Sequence, residues 1–438
     1  MDLSALPTFR AGALDLNGQF RGKRLPGTMA SKLDAGAVRL PLSALNLDIR
    51  GEDIVDSPLL FASGDADGEL RPTDRGPVAM PWLETPSALV PMWMYTDDGA
   101  PFAGDARHAL DAVLARYRAR GWQVIAATEL EFFLLDDSGP TPQPPLQPGT
   151  SKRLGNEDIL SMDALDAFDA FFTDLYAGAA QMGIEPGAAI AESGVGQFEV
   201  NLAHGPAMRA ADDAILFKQL VRGMARKHGM AATFMAKPYP EQAGNGLHVH
   251  FSVVDDQGRN VFDNGGPEGS DILQQAVAGC LAAMPGSTVI FAPHGPSYDR
   301  FAPGAHAPTA AGWGYENRTT AIRIPGGAPT ARRIEHRVAG GDVNPYLMLA
   351  AVLGAAMVGI EDGHAPPPPT RGNAYDADLP QLATSWEDAL AAFSWDKIMP
   401  RIFSNDLRRN LMLTKKQELG FVPQMDEAAR TALYLERV

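Results

Sequence analysis

Three short stretches alternate ionisable and apolar side chains with the two-residue period of an extended strand. They are TELEFF around Glu129 and Glu131, GLHVHFS around His248 and His250, and RRIEHRV around Arg333, Glu335 and Arg337. Successive side chains of a strand point to opposite faces, so each stretch sends its charges one way and its apolar or bulky neighbours the other. A buried charge is costly unless it is paired or holds a metal. The pattern therefore asks three strands to line one polar cavity that takes charged ligands.

At 438 residues the chain is too long for one ordinary core, and 45% hydrophobic with 21% charged residues is a globular composition. Two domains are expected. Residues 1–97 carry short apolar runs broken by Gly, Pro and Asp, as in DLNGQFRGKRLPG, and predict a small, mainly β domain. Residues 98–438 mix helix and strand patterns and predict the larger one. Within it we expect a helix capped by Asp105, a strand over 122–136, helices over 161–182 and 212–228, and a helix opening at Asn344-Pro345. A net charge of −16 argues against a nucleic-acid surface. The start has no secretory pattern, and the apolar stretch 347–360 is too short and Gly-interrupted to span a bilayer, so a cytoplasmic protein without a membrane partner is expected. The lone Cys280 sits in an apolar helical pattern and reads as core.

Glu192 and Glu199 in ESGVGQFEV join Glu129, Glu131 and Glu335 to make five acids, with His248 adding an imidazole. Such an oxygen-rich, thiolate-free set suits Mg²⁺ or Mn²⁺ better than zinc. Five carboxylates in one cavity repel one another, and divalent cations are the simplest compensation. Arg300, Arg318, Arg323, Arg333 and Arg337 fall in the same third of the chain as Glu335, and guanidinium is suited to bidentate capture of phosphate and carboxylate. Beside metal ions they fit phosphoryl transfer, although no P-loop and no kinase-type glycine loop is present.

The blocks TELEFF, ESGVGQFEV, GNGLHVHFSV, RFAPGAHAP, ENRTTAIRIPGGAPTARRIEHRVAGGDVNPYLMLAAVLGA and GNAY, in this order, resemble the signature blocks of the glutamine synthetase superfamily. The resemblance implies an α+β fold: a small β-grasp-like N-terminal domain and a catalytic domain whose curved antiparallel sheet forms an open barrel surrounded by helices. It places Glu131, Glu192 and Glu199 on a first metal and Glu129, His248 and Glu335 on a second, for two or three Mg²⁺ or Mn²⁺ ions. It puts His250, Ser252, Arg323 and Arg333 against ATP, Arg318 and Arg333 on the transferred phosphoryl group, and Gly244, Arg300 and Arg337 on glutamate. The implied reaction phosphorylates the glutamate γ-carboxylate with ATP, and an amine then displaces phosphate. The implied assembly is a homo-oligomer, a dodecamer of two hexameric rings.

Two departures bear on the amine. His306 stands where true glutamine synthetases carry a flap glutamate that helps bind and deprotonate ammonium, and imidazole is a poorer partner for a cation. The Asp-Gly-Ser-Ser run whose aspartate completes a neighbour's ammonium site has no match here; Pro41–Leu45 is the nearest stretch, with Asp48 as a partial substitute. The pattern is similar to the γ-glutamylamine ligases, with putrescine or another polyamine favoured over methylamine and other small alkylamines. Acids between Asp65 and Asp74 would suit a diamine's distal ammonium. The alternatives are true glutamine synthesis with ammonia and a non-catalytic structural member of the family; retention of all six metal positions argues against the last.

Overall fold

The computed structural model describes residues 1–438 except Pro140, Asn156, Glu157, Pro303, His306, Glu436 and the side chain of Asp34. The N-terminal part is a six-stranded sheet of β1 (Thr8–Leu14), β2 (Phe20–Pro26), β3 (Arg39–Pro41), β4 (Asp67–Pro72), β5 (Val78–Ala79) and β6 (Ala88–Tyr95). Its order is β2-β1-β6-β4-β3 with β5 on β6, and all pairs are antiparallel except β1 with β6. Phe9, Leu25, Leu33, Leu45, Leu70 and Met94 form a small apolar cluster within this part.

The tip of the β1–β2 hairpin plugs into the rest of the protein. Asp15 is buried and accepts from the backbone of Asn17 and Gln19 and from the Arg21 guanidinium at 2.7 Å, which shapes the tip. Asn17 then donates to Glu418 at 2.8 Å and accepts from Lys415 at 2.5 Å, while Asn344 donates to the Asp15 carbonyl at 3.0 Å. Lys415 and Glu418 are fully buried, so this polar plug is paired internally, as a buried charge requires.

The larger sheet has nine strands, with β13-β14-β15-β12-β7-β9-β8 in order and β10 and β11 also on β7. These are β7 (Gln123–Leu135), β8 (Pro186–Ala191), β9 (Gln197–Leu202), β10 (Gly205–Pro206), β11 (Ala231–Thr233), β12 (Leu247–Val254), β13 (Trp313–Tyr315), β14 (Ile322–Ile324) and β15 (Ile334–His336). All its pairs are antiparallel except β13 with β14. The strand expected over 122–136 is thus β7, the axis of the sheet. One face turns Leu130, Phe132, Val249, Phe251, Phe198 and Ile334 into the main core, and helices cover that face.

The helix after Asn344 runs from Pro345 to Asp362, its N-terminus capped by the Asn344 side chain. By length and composition it could cross a membrane, yet 89% of it is buried inside the protein. It lies against helix Asp271–Phe291 with Gly279 facing Gly359; a Cβ on Gly279 would stand 2.1 Å from the Ala355 carbonyl, so only glycine allows this approach. Cys280 is buried in the same helix, and burial pushes its thiol up to about 12, as befits a core residue.

Two helices differ from expectation. The pattern over 161–182 is broken into Met162–Asp166 and Asp169–Met182, because Phe168 leaves helical geometry to bury its ring against Phe198. The helix expected to open at Asp212 starts at Ala207. Asp212 lies inside that helix, and its carboxylate accepts from Arg107 at 3.0 and 2.9 Å and from the Tyr346 hydroxyl at 2.6 Å.

Candidate active site

The open face of the large sheet carries the ionisable side chains in direct register. Glu131 stands opposite Glu199, Glu129 opposite His248, His250 opposite Glu335, and Glu335 opposite Arg323. Directly opposed residues of an antiparallel pair have Cβ atoms about 4.5–5.5 Å apart, so the charges form one belt across five strands. On the other face of β15, His336 is buried against Phe291, and burial pulls its imidazole down to about 3.

Glu129 sits at the centre of the belt. Its two carboxylate oxygens take His248 Nδ1 and His250 Nε2, each at 2.9 Å. Arg333 Nε donates to His250 Nδ1 at 3.2 Å, so the single N–H of that ring sits on Nε2 and donates to Glu129. His248 spends its Nδ1 proton on Glu129, which leaves Nε2, beside Gly246, without a proton, the state in which a histidine serves a metal. Burial works against ionisation of Glu129, but the two imidazole hydrogen bonds outweigh it and hold the carboxyl well below the usual range. Glu335 is likewise ionised despite burial, through Arg337 first and then His248, His250 and Arg323.

The trio of Glu131, Glu192 and Glu199 brings one ligand oxygen from each within 4.8 Å of the others; two more such trios are Glu129, Glu199 and His248, and Glu129, His250 and Glu335. Burial, then the charge of Glu131, pushes Glu192 up to about 7; burial, then Glu129, Glu131 and Glu192, pushes Glu199 up to about 9. Raised protonation at Glu192 and Glu199 marks a trio under-compensated by protein cations, and the oxygen donors of the belt with His248 fit a hard divalent ion.

The remaining expected residues divide. Arg300, on the 3₁₀ turn Gly295–Arg300, is buried, donates to the Val338 carbonyl at 2.7 Å and lies across Gly244, where a Cβ would meet its Cγ at 2.9 Å. A Cβ on Gly246 would fall 3.2 Å from both Glu131 Oε1 and His248 Nε2 and 3.3 Å from an Arg300 nitrogen, so the glycine leaves room where three groups converge. Arg337 is buried and ion-paired to Glu335. Arg318 is exposed in the turn after β13, with its charge felt at Glu192.

Beyond Glu129 the belt opens into a cavity of about 560 Å³ lined by His250, Ser252 and Arg333 with Ile125, Asn201 and Asn260. Arg323 is not on this wall; it bonds Glu335 at 2.8 Å and Glu316 at 3.2 Å. His306 lies outside the described residues. Asn260 was not singled out from the sequence, because no local pattern marks it; it donates to the Thr330 and Arg332 carbonyls at 3.1 and 2.7 Å and so fixes the loop that carries Arg333.

The sequence profile of the glutamine synthetase catalytic domain matches residues 103–432. The chain belongs to the glutamine synthetase family. It is an ATP-dependent carbon–nitrogen ligase of that family, and similarity extends along nearly the whole chain. It is 40% identical over 390 residues to gamma-glutamylputrescine synthetase of Escherichia coli strain K12, covering 86% of this chain and 81% of that one. It is 31% identical to glutamate–isopropylamine ligase of a Pseudomonas species, covering 94% of this chain and 92% of the relative. Among solved structures, the GmaS–ADP complex superposes with a TM-score of 0.84 at 27% identity, covering 98% of this chain and 97% of that one.

Proposed function

We propose that the protein couples the γ-carboxylate of glutamate to an amine other than ammonia, with putrescine or a related diamine as the preferred amine, using ATP to form a γ-glutamyl phosphate. The observation that carries this reading is the 40% identity to a putrescine-using relative. His306 in place of the family's acid adds to it. Asp48 adds more: it is fully buried and spends its carboxylate on the backbone of Arg50 and Glu52 and on the Arg50 and Gln417 side chains, so it cannot reach out to an ammonium. The acids between Asp65 and Asp74 are engaged too: Asp65 with Ser43, Asp67 with Arg39, Glu69 with Arg71 and Asp74 with Arg107.

In this reading glutamate lies along Gly244 and is held by Arg300 and Arg337, its γ-carboxylate toward Glu131, Glu192 and Glu199. ATP fills the cavity beside Ser252, with its phosphates reaching the belt at Glu129, His248 and Glu335. Glu129, Glu131, Glu192, Glu199, Glu335 and His248 would hold divalent cations, which would supply charge compensation for the phosphates. Arg333, oriented through His250, and Arg318 steady the phosphoryl group in transit, where catalysis is mostly positioning and charge compensation. A carboxylate resists attack by an amine, whereas an acyl phosphate has a good leaving group. The assembly proposed with this site is a ring-based homo-oligomer, with residues 1–97 as a separate domain.

Steady-state ADP release with putrescine, methylamine, isopropylamine and ammonium, with mass spectrometry of the product, tests the reading. A γ-glutamyl amide formed from putrescine with kcat/KM far above that for ammonium is expected; efficient ammonium use at neutral pH would refute it.

A further inference from the structure

We infer that Gln197 is a positioning residue that ties the metal-binding acids to the glutamate-binding loop, by holding Glu131, the turn after Glu192 and Gly244 with one carboxamide. This rests on the functional reading above. Gln197 is only 2% exposed, and its side chain lies on the site face of β9, opposite Phe133 of β7. Its Oε1 accepts from the Gly194 backbone at 2.9 Å. Its Nε2 donates to the Gly244 carbonyl and to Asn245 Oδ1, both at 3.0 Å, and stands 3.5 Å from Glu131 Oε2.

The direction of this amide is forced from both ends. Asn245 is fully buried and gives its Nδ2 protons to the Thr233 and Met235 carbonyls at 3.3 and 2.9 Å, so only its oxygen can face Gln197. The Gly194 N–H in turn demands an acceptor. Gln197 must therefore present its NH₂ group to Glu131 and Gly244, and the carboxamide orientation needs no free choice.

Two consequences follow for the reaction. Glu131 Oε2 accepts from the Gly246 N–H at 2.7 Å and has the Gln197 amide 3.5 Å away, while one Glu131 oxygen lies within 4.8 Å of ligand oxygens of Glu192 and Glu199. The Gly244 carbonyl is held below Arg300, so the loop that seats glutamate keeps a fixed offset from the acids. The turn itself is closed by Glu192 N–H to the Gln197 carbonyl at 2.9 Å, which ties Glu192 to the same residue. A residue with this placement acts through others on metal and glutamate together, while the cavity beside Ser252 lies out of its reach.

The test uses Gln197→Met, which keeps the length but removes both polar ends, and Gln197→Glu, which keeps the acceptor for Gly194 and replaces the NH₂ donor by a second acceptor. Mn²⁺ binding is followed by the EPR signal of free Mn²⁺, and KM is measured separately for glutamate and ATP. Expected are at least tenfold weaker Mn²⁺ binding and a tenfold higher KM for glutamate, with KM for ATP within threefold of the parent. Wild-type Mn²⁺ affinity in either folded variant overturns the inference. So does a uniform loss that raises both KM values together with a lower Tm, or aggregation of both variants, since each assigns Gln197 to the core alone. Mn²⁺ binding needs no amine, so a wild-type protein that makes no γ-glutamyl amide yet loses Mn²⁺ affinity on substitution would refute the functional reading and leave the bridge standing.

Discussion

Cation binding to the trio of Glu131, Glu192 and Glu199 should expel protons. Burial and mutual repulsion push Glu199 up to about 9 and Glu192 up to about 7 in the metal-free protein, from an ordinary value of 4.5. A ligand carboxylate must be ionised, so at pH 7 the first surrenders about one proton and the second about half, about 1.5 per cation in all. Between pH 6 and pH 8 the same titration strengthens binding by roughly 1,000-fold, with the protons belonging to the cluster more than to either acid. Folding stability carries the opposite sign. Both carboxyls are raised, so the metal-free protein is most stable below pH 4.5 as far as they are concerned, and loses that contribution as pH rises through 7 and then 9. Bound cation cancels the loss. Calorimetric titration of Mn²⁺ at pH 7 in two buffers of different ionisation enthalpy counts the protons directly. Release of fewer than about 0.5 proton per cation, or an affinity flat from pH 6 to 8, would show that these acids are ionised without metal and that the proposed compensation is wrong.

Three further outcomes are expected. Arg333→Ala should lower kcat for amine-dependent ADP release by about 10³-fold or more, and Glu131→Ala should abolish it, with far-UV circular dichroism unchanged for both; parent-like kcat in Arg333→Ala, or turnover in Glu131→Ala, removes the role assigned. Glu418→Ala leaves Lys415 buried without its carboxylate and should cost about 3–5 kcal/mol, read from urea unfolding, while Glu418→Gln should lose less because Asn17 keeps a partner. Gly279→Ala puts a methyl 2.1 Å from the Ala355 carbonyl and should destabilise by at least about 1–3 kcal/mol; an unchanged Tm would mean that the two helices can part without penalty.

Much of the site was legible because its chemistry rides on period-two alternation. In TELEFF, GLHVHFS and RRIEHRV the parity of a residue decides its face whatever the neighbouring strands are, so the inward set could be read from each stretch alone. The structure places those sets in direct register, as in Glu131 with Glu199 and His250 with Glu335. Helix limits were less legible. Asp212 stands at the expected start of a helix that in fact opens at Ala207, its carboxylate taken by Arg107 and Tyr346, and Phe168 breaks a helical pattern only because a pocket beside Phe198 receives it. Both depend on groups far away in the chain. Asp48 misled for the same reason: its availability depended on Gln417, which lies 369 residues further on.

Taken alone, the order of residues determined which side chains share a face, which types can hold a hard cation, and that the chain carries the family's blocks in sequence. Folding decided the rest: that Glu129 is shared by two imidazoles, that Arg323 serves Glu335 and lies off the cavity wall, and that Gln197 joins three segments at once. Facing is a local property of the backbone and repeats every two residues. Partnership is a matter of distance across strands and loops, and no spacing along the chain encodes it.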